Sequence, residues 1–455
     1  MSGFLKVIID VASTPAILVA LIAVLGLALQ KKHFSDIIRG GIKTFVGFLV
    51  VTAGAGVIQT SLEPFGKMFQ HAFHVTGVVP NNEAIVAVAL TTFGTKTALI
   101  MLLGMAFNIL IARITRYKYI YLTGHATLYM ACMLAVIVTS IDMNNVLAIL
   151  FGGLALGLAN TIFPAIAQPF TRKITQNDNI ALGHTGDFGY AVSGLVGQLT
   201  SRRSKKVRST EEINFPKGLA FLRDSTVSIT ITMGVFYILV ALFAGQAYVT
   251  KLGGGTNYIV YALQQAGSFA AGVFVILAGV RLILAEIVPA FKGISERLVP
   301  NSKPALDCPI VFPYAPNAVL IGFLSSFVGG IVSLGLMILM GTTVVIPGVV
   351  PHFFCGATAG VYGNASGGVR GAVLGSFTQG IIISFMPIFL LPIMSGIGFS
   401  GSTFSDTDYG VTGILLGNVS KVAGSWGFIA TLILILAIML LLTWRGKKSK
   451  VASEK

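Results

Sequence analysis

Charge is what this chain has least of. Only 10% of its 455 residues are Asp, Glu, Lys or Arg, and the acids are outnumbered 16 to 31. So little charge cannot cover the surface of a soluble protein of this length. Cysteine is scarcer still. Cys132, Cys308 and Cys355 stand singly in or beside apolar segments, without the spacing of a disulfide framework or a zinc site, and read as buried small hydrophobes. A Walker loop, a Ser/His/Asp set and a phosphate-accepting cysteine motif are all missing. Neither nucleotide hydrolysis nor covalent catalysis is therefore indicated, and no metal or cofactor is expected.

What is present is apolar. Hydrophobic residues make up 55% of the chain and the mean hydropathy is +0.86, which describes a polytopic membrane protein. The formal charge of +15 does not point to nucleic acid, because the basic residues flank apolar runs, where membrane topology places them. Lys31, Lys32, Arg39 and Lys43 put the first loop in the cytoplasm and the N-terminus outside, and Arg445, Lys447, Lys448 and Lys450 keep the C-terminus inside. The basic stretch 201–208 reads as a further topological anchor, with a docking surface for a soluble partner as the other reading.

Spans are expected at 15–29, 45–60, 84–114, 119–141, 146–167, 225–244, 258–288, 372–394 and 427–444, with an amphipathic piece on the membrane surface at 63–82. The stretch 84–114 is long and carries Gly94 and Lys96 near its middle, so a break is expected there. The run 317–350 needs a break at Gly329-Gly330 or at Gly341. The fold class is thus all-α and polytopic, with about eleven transmembrane helices and two re-entrant hairpins, and a last transmembrane helix over 423–445.

The first hairpin is the stretch Gly183-His184-Thr185-Gly186-Asp187-Phe188-Gly189-Tyr190-Ala191, too polar and glycine-rich for an ordinary span. Broken backbone at membrane depth persists only where protein or a water-filled cavity covers it, so such tips line substrate sites. Gly360-Val361-Tyr362-Gly363-Asn364-Ala365 repeats the frame of Gly186–Ala191 after 174 residues, and Gly94 recurs as Gly267 after 173. Two matches at nearly one offset imply internal duplication, with repeats over about 40–200 and 218–396 of a single membrane domain, 1–455. Both hairpin tips, at Thr185 and Tyr362, are expected to line the cavity.

Ionisable groups inside spans need a partner or a function. His125 and His184 can donate to and accept from a polyhydroxylated ligand, and Asp307, ahead of Cys308-Pro309, can accept two hydroxyl hydrogens. Lys96 reads as snorkelling or as capping a broken helix, and Arg281 and Glu286 as a structural pair. An intramembrane acid–base enzyme and an ion-coupled secondary transporter remain the competing classes.

Leu122-Thr123-Gly124-His125, Gly183-His184, Gly293-Ile294-Ser295-Glu296-Arg297-Leu298-Val299-Pro300, Asp307-Cys308, Ala315-Pro316-Asn317-Ala318-Val319 and Ile346-Pro347-Gly348 together resemble the ascorbate-specific enzyme IIC of the bacterial phosphotransferase system, over nearly the whole chain. That resemblance implies an inner-membrane homodimer in contact with lipid, in which an elevator-type core domain moves against a V-shaped scaffold domain. It implies transport of L-ascorbate, or a similar polyhydroxylated acid, coupled to phosphorylation by separate IIB and IIA proteins, which yields L-ascorbate 6-phosphate. No fused IIA or IIB domain is expected in this chain. The substrate-binding positions it implies are Asn82, Glu83, His125, Ala126, Thr127, Leu128, Tyr129, His184, Thr185 and Asp307. Within that set Tyr129 and Thr185 replace glutamines of the family pattern, and Glu83 replaces a tyrosine.

Overall fold

The structure is a computed structural model that describes residues 15–73, 77–78, 80–202, 207–213, 218, 221, 224–394 and 403–453. Helices dominate it: α1 (Pro15–Leu29), α2 (Phe34–Phe73), α3 (Asn82–Ile114), α4 (Gly124–Thr139), α5 (Asn145–Thr175), α6 (Asp187–Ser201), α7 (Ser225–Ala244), α8 (Gln246–Leu252), α9 (Tyr258–Leu298), α10 (Pro316–Met340), α11 (Val349–Met394) and α12 (Thr407–Ser453). Six of the described helices are long and apolar enough to cross a membrane, or seven if the bent pair at 233–252 is one span. The protein is therefore a multi-pass membrane protein.

Several expected breaks lie elsewhere. Gly94 sits inside an unbroken α3, and the expected surface piece at 63–73 is the continuation of α2, which runs through Pro64. Of the two break points expected in the run 317–350, Gly329-Gly330 lies inside α10, and the helix ends at the other, Gly341, whose φ of +65° caps it. The side chains of Glu83, Arg281 and Glu286 lie outside the described residues, as does much of the basic stretch 201–208.

Two of the long helices are interrupted, at Gly368 (φ 60°, ψ −149°) and Gly424 (φ 58°, ψ −150°), a conformation only glycine adopts readily. At Gly368, α11 folds into a hairpin: Gly371 lies against Gly363 and Gly375 against Ser193, while Ser193 Oγ donates to Ala359 O at 2.6 Å. The first half of α11 therefore runs parallel to α6, and the second half runs back along both. Past that point the second half of α11 meets Gly410 at Met386 and Gly417 at Ile393, so the first half of α12 continues in the opposite direction from α6. Gly413 also touches Met133 of α4. Two half-helices, α6 and the first half of α11, leave the middle of the bundle one way; two others, α4 and the first half of α12, leave it the other way. A 15-residue helix such as α6 spans about 22 Å, too short to cross ~30 Å of hydrocarbon.

Among the described residues there are five short parallel strands, three of which lead into these half-helices. β1 (Gly77–Val78) pairs with β5 (Val344–Val345), and β4 (Lys303–Leu306) lies between β2 (Tyr119–Tyr121) and β3 (Ala181–Leu182). The order α3, β2, α4, α5, β3, α6 recurs as α9, β4, a 3-10 helix (Cys308–Tyr314) in place of α4, α10, β5 and the first half of α11. The helices α1, α2, α7 and α9 pack chiefly on one another, with Tyr237 of α7 donating its hydroxyl to Ser61 O of α2. The remainder packs around the strands.

Candidate functional site

Parallel strands deliver the residues beyond their carboxyl ends to one place. β2 leads into Thr123-Gly124-His125, β4 into Asp307 and β3 into Gly183-His184-Thr185, and their register is closed by Leu122 N to Ala305 O (2.9 Å) and Gly183 N to Leu306 O (2.8 Å). The second ribbon brings Asn82 after β1, and Val350 and Pro351 after β5, to the same cavity. The space this cavity offers to the centres of water-sized molecules is about 50 Å³.

Six of the expected residues line that cavity: Asn82, His125, Tyr129, His184, Thr185 and Asp307. His184 Nδ1 meets the Tyr190 hydroxyl at 2.5 Å, which turns Nε2 toward Asp307 Oδ1, 4.0 Å away. His125 and Tyr129 are four apart on α4 and share a face. Ala126, Thr127 and Leu128 point away from it: Ala126 packs with Tyr121, Ala181 and Ala305, Thr127 donates to Thr123 O at 3.1 Å, and Leu128 joins the apolar core. Tyr362 is not at a tip. It is fully buried in mid-helix, with its hydroxyl 2.6 Å from Thr171 Oγ1, because the second glycine frame belongs to the packed body of α11 rather than to its start.

The sequence reading missed the segment that closes the cavity from the far side, Ser405-Asp406-Thr407-Asp408-Tyr409. Asp406 accepts from Asn82 Nδ2 (2.9 Å), Thr185 Oγ1 (2.5 Å) and Ser405 Oγ (2.8 Å). Asp408 caps α6, accepting from the amides of Asp187 (3.1 Å) and Phe188 (2.9 Å), and Gly189 N donates to Thr407 Oγ1 (3.0 Å). One acid thus ties two cavity residues together while its neighbour caps the hairpin helix. Two acids two residues apart, just ahead of an apolar run in a chain with sixteen acids, were the available signal. Cys308 and Cys355 are buried, as expected, and also line the cavity.

The first turns of four helices reach this space, at Asn82, His125, Val350 and Tyr409, and His184-Thr185, which leads into α6, lines it as well. Thr123, which precedes α4, makes no side-chain cap, and its buried hydroxyl has no partner among the described residues. The free amides and dipole of α4 therefore face the cavity and favour negative charge there. Imidazoles, uncapped amides and carboxylates together can hold an anion that also carries several hydroxyls. The donor atoms of His125, His184 and Asp307 lie within 4.8 Å of one another, as do those of His184, Cys355 and Asp406. The 4.0 Å from His184 to Asp307 exceeds the ~3.4 Å between two ligands of a tetrahedral zinc, so as placed the first set suits hydroxyls better than an ion.

Half-helices that meet from both sides of a membrane bundle at an enclosed polar cavity define a permease. The chain belongs to the EIIC-GAT family, the PTS system sugar-specific permease component, whose family model matches residues 10–408. A curated relative from Mycoplasma pneumoniae (strain ATCC 29342 / M129 / Subtype 1), named Ascorbate-specific PTS system EIIC component, is 25% identical over 430 residues, an alignment covering 82% of this chain. The chain spans 64% of the length of that relative.

Proposed function

We propose that this protein imports L-ascorbate or a close sugar acid, and that a separate IIB protein, charged by IIA, phosphorylates the substrate at the membrane. The observation that carries the reading is the convergence of His125, His184 and Asp307 at the ends of three parallel strands, beside the uncapped start of α4. The two imidazoles and the α4 amides face the acidic oxygens of the ligand, and Asp307 accepts from its hydroxyls through charge-assisted bonds. Asn82, Tyr129 and Thr185 complete the lining, with Asp406 holding Asn82 and Thr185 in place. Glu83 is retained as a ligand-binding position by its place in the motif. The group α1, α2, α7 and α9 is the natural scaffold, and the strand-bearing group around the cavity the moving core, in a homodimer working as an elevator. The protein sits in the bacterial inner membrane with its N-terminus outside and its C-terminus in the cytoplasm.

Inside-out and right-side-out vesicles test this. Uptake of labelled ascorbate requires phosphoenolpyruvate and the soluble phosphocarriers, and the label is recovered as the 6-phosphate. Uptake driven by an imposed ion gradient alone, with the label recovered unmodified, sinks the reading in favour of secondary transport.

A further inference from the structure

A second hollow of about 580 Å³ lies between α5 and the second half of α12. Its α12 wall is Ile435, Ile438, Met439 and Leu442, spaced three and four apart on one helical face, and its α5 wall includes Ile162 and Ile166, one turn apart. Ile166, Ile438 and Leu442 are each more than a third exposed, so the trough opens sideways to the bilayer and not into the bundle. Water does not fill an apolar trough inside hydrocarbon, and an acyl chain does.

One end of the trough is different. Arg116 closes it, fixed by its backbone amide to Thr443 Oγ1 (3.1 Å) and by its guanidinium to the Tyr117 hydroxyl (3.1 Å) and ring (5.0 Å to the centroid). Arg116 is itself exposed, so its guanidinium is open to a ligand at that end. Among the described residues Arg116 forms no ion pair with a carboxylate. An oriented guanidinium at the end of an apolar trough suits a phosphate, and a choline headgroup would bring its ammonium against it.

We propose that this trough is a site for an anionic glycerophospholipid, with the phosphate at Arg116 and an acyl chain along Ile162, Ile166 and Ile438. The lipid bridges α5 to α12 on the outside of the bundle, apart from the transport cavity, and the proposal does not depend on which substrate is carried.

The test uses the purified full-length protein in detergent, with dioleoylphosphatidylglycerol or dioleoylphosphatidylcholine added and retained lipid counted by native mass spectrometry beside the melting temperature. Wild type retains the anionic lipid about five-fold more than the zwitterionic one, the preference a single well-placed arginine supplies. Arg116→Gln brings the ratio toward one, and Ile438→Trp, which fills the trough, removes retention of both. Ile166→Phe serves the same purpose if Ile438→Trp does not fold. Inorganic phosphate and glycerol 3-phosphate leave the melting temperature unchanged. Equal retention of the two lipids by wild type overturns the proposal, and so does stabilisation by inorganic phosphate equal to that by the lipid. Loss of self-association without loss of lipid in the trough-filling variants shows that a second copy of the chain covers this face, and also overturns it.

Discussion

Gly186-Asp187-Phe188-Gly189-Tyr190-Ala191 and Gly360-Val361-Tyr362-Gly363-Asn364-Ala365 share a frame of glycine and aromatic, yet the first opens a helix at the cavity and the second lies inside one. Both tyrosines are fully buried, their rings 5.5 Å apart. Tyr190 reaches inward to His184, and Tyr362 outward to Thr171. Glycines around the first expose amides for Asp408 and Thr407 to cap, whereas those around the second let α6 and both halves of α11 touch backbone to backbone. One stretch serves binding and the other serves packing, so variants in the two should separate affinity from stability.

Gly367→Val should have the largest effect. A Cβ there falls 2.2 Å from Gly197 O and 2.7 Å from its Cα, and backbone cannot swing aside as a flexible side chain can. Overpacking against backbone costs about 3 kcal/mol or more. Little folded protein is expected on gel filtration, and normal melting would show that the helices are not closely crossed at this point.

Asp307→Asn tests the other side of the contrast. It keeps the shape of the side chain and its acceptor for Cys308 N (2.8 Å), but weakens acceptance of ligand hydroxyls. With about 1.5–3 kcal/mol for a charge-assisted bond, affinity should fall about ten-fold or more while the melting temperature holds. Unchanged affinity with a large loss of stability would mean that Asp307 braces the strands instead.

How far these roles could be read in advance differs from residue to residue. His125, His184 and Asp307 stood out because each is a polar group in an apolar setting that demands a reason. The half-helix that opens at Thr407 did not, because the reversal at Gly424 rests on a single φ angle in a chain with 53 glycines. Asp406 was hidden for another reason. Its partners Asn82 and Thr185 are 324 and 221 residues away, and a short acid-containing stretch between apolar runs reads as a connecting loop. Lys96, expected to snorkel or to cap a broken helix, lies on an intact one and donates to Thr139 at 2.9 Å. The Gly186–Ala191 and Gly360–Ala365 match shows the limit of short motifs: a glycine frame records that backbone is approached closely, not what approaches it.

The tyrosine pair offers a finer separation. Tyr190→Phe removes the hydroxyl that holds the His184 ring, and affinity should fall about three- to ten-fold with a modest loss of stability. Tyr362→Phe removes the bond to Thr171 and should cost about 1 kcal/mol of stability with affinity unchanged. Isothermal titration beside thermal melting reads both. Equal affinity losses in the two variants would erase the contrast between the stretches.

The smallest effect belongs to the opposite end of the strands, away from the cavity. Asp178 joins Arg172 (2.7 Å), Gln168 (2.7 Å) and Lys303 at the start of β4, tying α5 to the sheet. Burial pushes its carboxyl up, but the hydrogen bonds from Lys303, Gln168 and Arg172 outweigh this and hold it down at about 2. A folded value below the ordinary ~3.9 means that the stabilisation is complete above that pH and is lost as the pH falls toward 2. The side chain is 44% exposed, so solvent screening limits the contribution to about 1 kcal/mol or less. Asp178→Asn should therefore melt slightly below wild type at pH 6, the gap should close between about pH 4 and pH 2, and ligand affinity at pH 6 should not change. A gap that persists at pH 2 would show that the side chain acts through packing and not through its charge, and a fall in affinity would show that the two ends of the strands are coupled.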